Sequence, residues 1–462
     1  MIQSFTLYRT IWRWHFYAGL FVVPMVLVLA LSGSLYLFKP QIERWEERAF
    51  RSLPVAETVS PDAQGEAALS AFPGARLHSY RLPEREGDAA LVHIALPGGK
   101  GMRDVFVSPQ GKVLGSLDPD KRIIAIDRAV HGQLLLGKRG SWIVELAASW
   151  GIVMILTGLY LWWPRGRGAA GVIYPRLTRG PQAFWRDLHA VTGFWVSGLA
   201  LVLLVTGLPW ASVWGSAFKA VRTEMGWVKG KQDWTIGGRA ADADDHAGHD
   251  HAAMMAGAGS MHAMPGMAHD HAGGPTPVSL TEIVAEARSR HMAWPVIVLP
   301  PGAPGAFGAK PSSAWIVKAD TQNRLLGETY TFDARTGAQR SHETFADKHP
   351  IDRVVGYGIS WHEGALFGWV NQLIGVMTAL MLVTLAVSGF VLWWRRKPGG
   401  ALGAPPLPAV PARKRGMAAI ALMLAAFLPL LALSMAAMLV IERLVLVRIA
   451  PAARWLGLVR TV

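Results

Sequence analysis

Four histidines stand at matched spacings in a chain dominated by apolar runs. His15 precedes Gly33 by 18 residues, and His189 precedes Gly207 by 18. His131 precedes Gly158 by 27, and His362 precedes Gly389 by 27. Each glycine follows a hydroxyl residue: Ser32, Thr206, Thr157 and Ser388. Imidazole is the commonest metal ligand among side chains. One histidine at a membrane interface is inexpensive and says little. Four at repeated helix depths predict axial ligation of a flat metal macrocycle, haem. The Ser/Thr-Gly pairs read as helix-packing surfaces.

Such a group needs space and counter-charge. Gly19 and Gly193 lie four residues after His15 and His189, on the same helical face. Gly137 and Gly368 each lie six residues after His131 and His362. Arg13, Arg186, Arg128 and Lys138 are close enough in sequence to meet carboxylate arms.

The elements that must carry these residues are transmembrane helices. Five apolar runs, roughly 15–38, 142–163, 190–211, 369–394 and 416–441, are long enough to span a bilayer. The first is too long, and too poor in a small-residue cleavage site, for a removable signal peptide. A formal charge of +14 fits a nucleic-acid partner in amount, but its placement points to topology. Loop 164–186 carries Arg165, Arg167, Arg176, Arg179 and Arg186 without an acid. Loop 395–415 carries Arg395, Arg396, Lys397, Arg413, Lys414 and Arg415, again without one. Short loops of this kind face the cytoplasm, with anionic lipid as partner. The N-terminus is then cytoplasmic in a multi-pass bacterial inner-membrane protein. Arg443, Arg448, Arg454 and Arg460 in the tail 442–462 fall on the opposite side, against the rule.

This topology puts His15 and His189 at the cytoplasmic face and His131 and His362 at the periplasmic face. One bis-histidine haem per face follows, although pairing His15 with His131 would need only another register. There are no cysteines, which excludes thiolate sites, iron–sulfur clusters and covalent haem attachment. Any haem is of the non-covalent b type. No catalytic residue is assigned beyond it. No Walker or dinucleotide fingerprint occurs, and Gly302–Gly308 lacks the strand–turn–helix context of one. Electrons must come from a separate donor, whose identity is open.

The expected fold is a mainly α membrane protein of duplicated two-helix units plus a fifth helix, with two periplasmic α+β domains. The order is helix 1 (1–38), domain 1 (39–130), helix 2 (131–163), loop 164–186 and helix 3 (187–211). Segment 212–360, helix 4 (361–394), loop 395–415, helix 5 (416–441) and tail 442–462 follow. The ends of helices 2 and 4 run parallel: Thr157-Gly158 to Trp162-Trp163, and Ser388-Gly389 to Trp393-Trp394. In the outer domains, 62–72 and 279–291 read as amphipathic helices. Arg76–Leu82, Ala90–Ala95, Arg103–Val107, Pro295–Leu299, Ala314–Lys318 and Glu328–Phe332 read as strands.

Segment 212–360 also holds a linker, 238–275, of a different kind. It contains His246, His249, His251, His262, His269 and His271 with Met254, Met255, Met261, Met264 and Met267. Imidazole with thioether suits copper, but the composition fixes no geometry. His78, His93, His291 and Trp315 read as ordinary surface or core residues; His342 and His349 are slight exceptions, because they lie just upstream of His362 on the outer face.

Trp14-His15-Phe16-Tyr17-Ala18-Gly19, His131-Gly132, Leu188-His189 through Gly193, Trp361-His362-Glu363-Gly364 and the Gly…Leu-Trp-Trp helix ends resemble the PepSY-associated transmembrane family. The resemblance covers about 1–400. It implies two PepSY-like domains and, through members that are di-haem ferric-siderophore reductases, two b haems and a periplasmic metal-chelate acceptor. The histidine/methionine tract departs from those reductases and makes a copper-linked metal reductase the alternative. A haem-free sensor or peptide-binding scaffold is the reading from a different class.

Overall fold

The computed structural model describes residues 2–164, 168–227, 278–303, 311–405 and 415–458. The elements are named from the N-terminus. Helix α1 (Ile2–Tyr36) is followed by α2 (Lys39–Glu46), α3 (Pro61–Ser70) and strands β1 (Arg76–Arg81), β2 (Ala90–Ala95), β3 (Met102–Val107) and β4 (Val113–Leu117). Then come α4 (Ile123–Gln133), α5 (Gly137–Trp162), α6 (Gly180–Gly207), α7 (Ser212–Glu224) and α8 (Leu280–Ser289). Strands β5 (Val296–Leu299), β6 (Trp315–Ala319), β7 (Glu328–Phe332) and β8 (Gln339–Thr344) precede α9 (Pro350–His362) and α10 (Trp369–Arg396). Helices α11 (Arg415–Phe427), α12 (Pro429–Ile441) and α13 (Ala450–Trp455) complete the chain.

Helices α1, α5, α6 and α10 form a closed ring in which each packs on two others: α1 on α5 and α10, and α6 on α5 and α10. They are long and apolar enough to cross a membrane, as is the stretch Pro429–Leu446. Even the shortest of the four ring helices, with 26 residues, rises about 39 Å, more than a hydrocarbon core of roughly 30 Å.

The strands form one sheet, not two. All eight are antiparallel neighbours in the order β4-β3-β2-β1-β5-β6-β7-β8. The seam is β1 on β5, with Tyr80 opposite Val298 and Arg81 opposite Ile297. Either half alone would leave that edge unpaired, and pairing satisfies it. Helices α3 and α8 cover one face, where Tyr80, Val92, Val105, Val298, Val317 and Phe332 are buried with Leu280 and Ile283. The two helices are tied across the seam: Leu280 and Thr281 backbone N–H groups donate to Asp62, at 3.1 and 2.9 Å. The six expected strands are present within a residue or two. Strands β4 and β8 were not expected. The residues of β8 are mostly exposed, so no apolar alternation marks it.

Two short helices join sheet to bundle. The expectation placed His131 and His362 at the mouths of spans, but each ends a separate amphipathic helix, α4 or α9. Left-handed backbone at Leu134 (φ 50°) and Leu135 (φ 59°) turns α4 sharply into α5. Gly364 (φ 72°) and Gly368 (φ 59°) do the same between α9 and α10. A buried Arg222–Asp352 ion pair, 2.5 Å, pins α9 to α7. The His349 ring caps α9 by accepting the Ile351 N–H at 3.3 Å.

The fifth run, expected as one helix over 416–441, is broken at Leu428-Pro429. Leu428 has ψ 88°, outside the helical region, as expected for a residue before proline. Helix α11 ends beside α7, where the Trp214 indole donates to Phe427 O at 3.1 Å. Helix α12 then returns along α5, with Trp150 Nε1 donating to Ser434 Oγ at 3.1 Å. The tail is therefore not on the sheet side. Tyr17 donates to Leu456 O at 2.5 Å, Arg13 to Gly457 O at 3.0 Å, and Leu402 N to Trp455 O at 2.9 Å. Arg443, Arg448 and Arg454 thus join the other basic segments, and the conflict with the charge rule disappears. The absence of native cysteine makes this simple to check. In sealed vesicles, an impermeant maleimide is expected to label Arg454→Cys from the same side as Thr178→Cys and the opposite side from Thr336→Cys. Labelling of Arg454→Cys with Thr336→Cys would refute the return.

Candidate functional site

The ring of helices brings the four histidines together in two pairs. His15 of α1 faces His189 of α6, with ring centroids 6.5 Å apart. His131 of α4 faces His362 of α9 at 6.3 Å. Two imidazoles bound on opposite sides of one metal, at about 2.0 Å each, stand with centroids about 6.3 Å apart. Both separations match that arrangement. The ring planes stand 82° and 77° apart.

Each ring is seated on a hydroxyl–glycine pair of a neighbouring helix. His15 Nδ1 lies 3.0 Å from Thr157 Oγ1 of α5, and His131 Nδ1 lies 2.9 Å from Ser32 Oγ of α1. His362 Nδ1 lies 3.1 Å from Thr206 Oγ1 of α6. His189 Nδ1 lies 3.2 Å from Ser388 Oγ of α10 and 3.1 Å from Leu385 O. The glycines make the approach possible. A Cβ on Gly158 would stand 3.2 Å from His15 Cε1, and one on Gly33 3.1 Å from His131 Cε1. The corresponding distances are 3.3 Å for Gly207 with His362 and 3.1 Å for Gly389 with His189.

This geometry fixes the tautomers. The Thr157, Ser32 and Thr206 hydroxyls each donate their one proton to a helix carbonyl, at 2.8, 2.7 and 2.7 Å. They can only accept from the imidazole. Leu385 O can only accept as well. Every Nδ1 is therefore the N–H, and every Nε2 keeps its lone pair for a ligand, the second-shell pattern of metal-binding histidine. The Ser/Thr-Gly pairs, read from sequence as packing surfaces, are the seats of these rings. The repeated spacing was the available signal. Gly33 follows His15 on α1 but serves His131 at the other level; 18 residues of helix separate the levels by about 27 Å.

All four rings line one cavity of about 3460 Å³ that runs from the His15 level to the face of the sheet opposite α3 and α8. Pockets for small molecules are commonly about 300–1,000 Å³, so the space admits large planar groups. Gly19 and Gly193 line it. Arg186 also lines it while pairing with Asp187 at 2.7 Å. Arg13 does not serve there, since its guanidinium donates to Pro405 O and Gly457 O and holds the tail. At the sheet end, Lys39, Arg128 and Arg324 surround Glu363, whose carboxyl burial holds above the usual range against those cations. Arg128 and Lys138 line the cavity here.

The tract with His246, His249, His251, Met254, Met255, Met261, His262, Met264, Met267, His269 and His271 lies outside the described residues. Among the described residues, no group of three or more His, Asp or Glu is arranged to hold a metal ion. Trp315 is buried in the sheet core. His342 stacks on Tyr330 at 4.0 Å. One residue went unnoticed in sequence: Asp127, buried on α4 one turn before His131, with Oδ2 unpartnered.

The chain belongs to the family described as the PepSY-associated TM region, whose model matches residues 12–396. The match spans all four histidines and their seats. A search of curated proteins finds no significant sequence match.

Burial raises the Asp127 carboxyl to about 6. Its neutral form is the one the fold favours, so its contribution to stability is full below about pH 4 and is lost as pH rises through about 6. Asp127→Asn is expected to raise the unfolding midpoint progressively over that window and by a constant amount above pH 7. An unchanged difference from pH 4 to 8 would show that the carboxyl is not held neutral.

Proposed function

We propose that this membrane protein holds two b haems, one between His15 and His189 and one between His131 and His362. In this reading it is a reductase that delivers electrons to a ferric siderophore on the sheet side. The observation that carries the proposal is the pair of 6.5 and 6.3 Å ring separations with all four Nδ1 atoms engaged. When bound, haem supplies reversible one-electron chemistry, which the cysteine-free chain lacks. The protein's own part is to aim four Nε2 lone pairs, to exclude water between the helices and to supply counter-charge. Arg186 at one level and Arg128 with Lys138 at the other are the cations for carboxylate arms. Reduction of Fe(III) weakens its hold in a hard-oxygen chelate, and iron release follows.

The matched contacts favour an origin in two copies of a two-helix unit, each bearing one PepSY-like half of the sheet. The basic residues gathered at the Arg13 end support a reading with that end in the cytoplasm and the sheet in the periplasm, in the inner membrane of a bacterium. The composition of 238–275 favours one second reading, copper as the metal reduced. Deletion of 246–271 with unchanged ferric-chelate reduction but lost copper tolerance would select it.

The haem stoichiometry of purified protein tests the reading. Two b haems per chain are expected. His15→Ala and His189→Ala should each remove one and the same haem, while His131→Ala and His362→Ala remove the other. Thr157→Val should keep both sites but weaken the first by roughly 10–100-fold, the usual effect of losing an outer-shell partner. Protein made with ample haem that shows no reducible b-type absorbance would overturn the proposal and leave the haem-free scaffold.

A further inference from the structure

The face of the sheet opposite α3 and α8 carries a second pair of facing imidazoles. His78 of β1 and His93 of β2 lie edge to face, 85° apart in plane, with ring centroids separated by 5.1 Å. Both line the cavity that reaches the four bundle histidines.

Three features of this pair go beyond an aromatic contact. First, His93 Nδ1 donates to Asp104 Oδ1 at 2.6 Å. That contact engages Nδ1 and leaves Nε2 as the atom to meet a ligand, in the carboxylate–histidine arrangement that supports metal ligands. Second, the β1–β2 register shifts between Leu77 and Ser79, so His78 is the extra residue of a bulge. Bulges re-aim side chains, and this one turns His78 to the face that His93 occupies. Third, the separation fits a tetrahedral ion. Two imidazoles at about 2.0 Å from one tetrahedral centre have centroids about 5 Å apart, against the wider spacing of the bundle pairs.

The surrounding charge suits a cation. Arg81 pairs with Glu47 at 2.6 Å, and Arg122 reaches Glu47, Glu46 and Asp104 at 2.8, 3.2 and 3.5 Å. Two guanidinium groups thus meet three carboxylates, and the cluster has one negative charge in excess. Met102 lines the same wall, offering a thioether in the neighbourhood.

We infer that His78 and His93 form a two-histidine site for a tetrahedral d10 cation, Zn(II) or Cu(I), on the wall of the cavity. Two protein ligands leave the remaining positions to water or to a chelator, so the site is an exchangeable one and not a structural clamp. The assignment stands whether or not the bundle holds haem.

Carbethoxylation of histidines by diethylpyrocarbonate, mapped by mass spectrometry on the full-length protein, tests this residue by residue. Saturating Zn(II), or Cu(I) under reducing conditions, should slow modification of His78 and His93 together by at least about ten-fold, the loss expected when a ligand is engaged. Mg(II) should have no effect. Protection by only one of the two ions would name the occupant. In His93→Gln the metal should no longer protect His78, and in His78→Gln it should no longer protect His93. His342, stacked on Tyr330 in the same sheet, reports that the variants remain folded by keeping its own rate. Metal-independent rates at His78 and His93, or protection of one that survives loss of the other, would overturn the shared site.

Discussion

The structure turns on one contact made four times: an imidazole laid on a Ser/Thr-Gly pair of the next helix. The hydroxyl spends its proton on the helix backbone and accepts from Nδ1. The glycine removes the Cβ that would hold the ring away. With a Cβ in place of the glycine hydrogen, the ring would meet it at 3.1–3.3 Å and have to shift. Because each ring rests on a helix other than its own, the contact also fixes how the helices pack. His15 joins α1 to α5, His189 joins α6 to α10, His131 joins α4 to α1, and His362 joins α9 to α6.

The rest of the molecule serves the level at which each ring is held. The inner rings ride on the long helices themselves. The outer rings ride on α4 and α9, which need the sheet, sharp turns of positive φ and the Arg222–Asp352 pair to stay on the bundle. A continuous eight-stranded sheet suits this task better than two separate domains would. Strand β4 at one edge of the sheet leads into α4, and β8 at the other edge leads into α9.

Much of this was legible in sequence, for identifiable reasons. Long apolar runs ended by Trp-Trp and Arg gave the spans, and alternation gave six of the strands. The histidines stood out by repetition. What was illegible depended on contacts between distant segments. Nothing local says that β1 pairs with β5, or that the exposed residues of β8 form a strand. Thr157-Gly158 reads as packing until His15, 142 residues away, is seen on it. Arg13 had the right charge and position for an anionic group, yet the tail takes it. The fifth run was misread because Leu428-Pro429 lies among apolar residues with no polar break, although proline itself was the clue.

Low-temperature electron paramagnetic resonance of the oxidised, purified protein tests the central claim most directly, because it reports axial ligands and not merely haem. The account predicts two low-spin ferric signals of bis-imidazole type, integrating to two spins per chain. A high-spin signal from either centre, or no haem signal in fully folded protein, would contradict it.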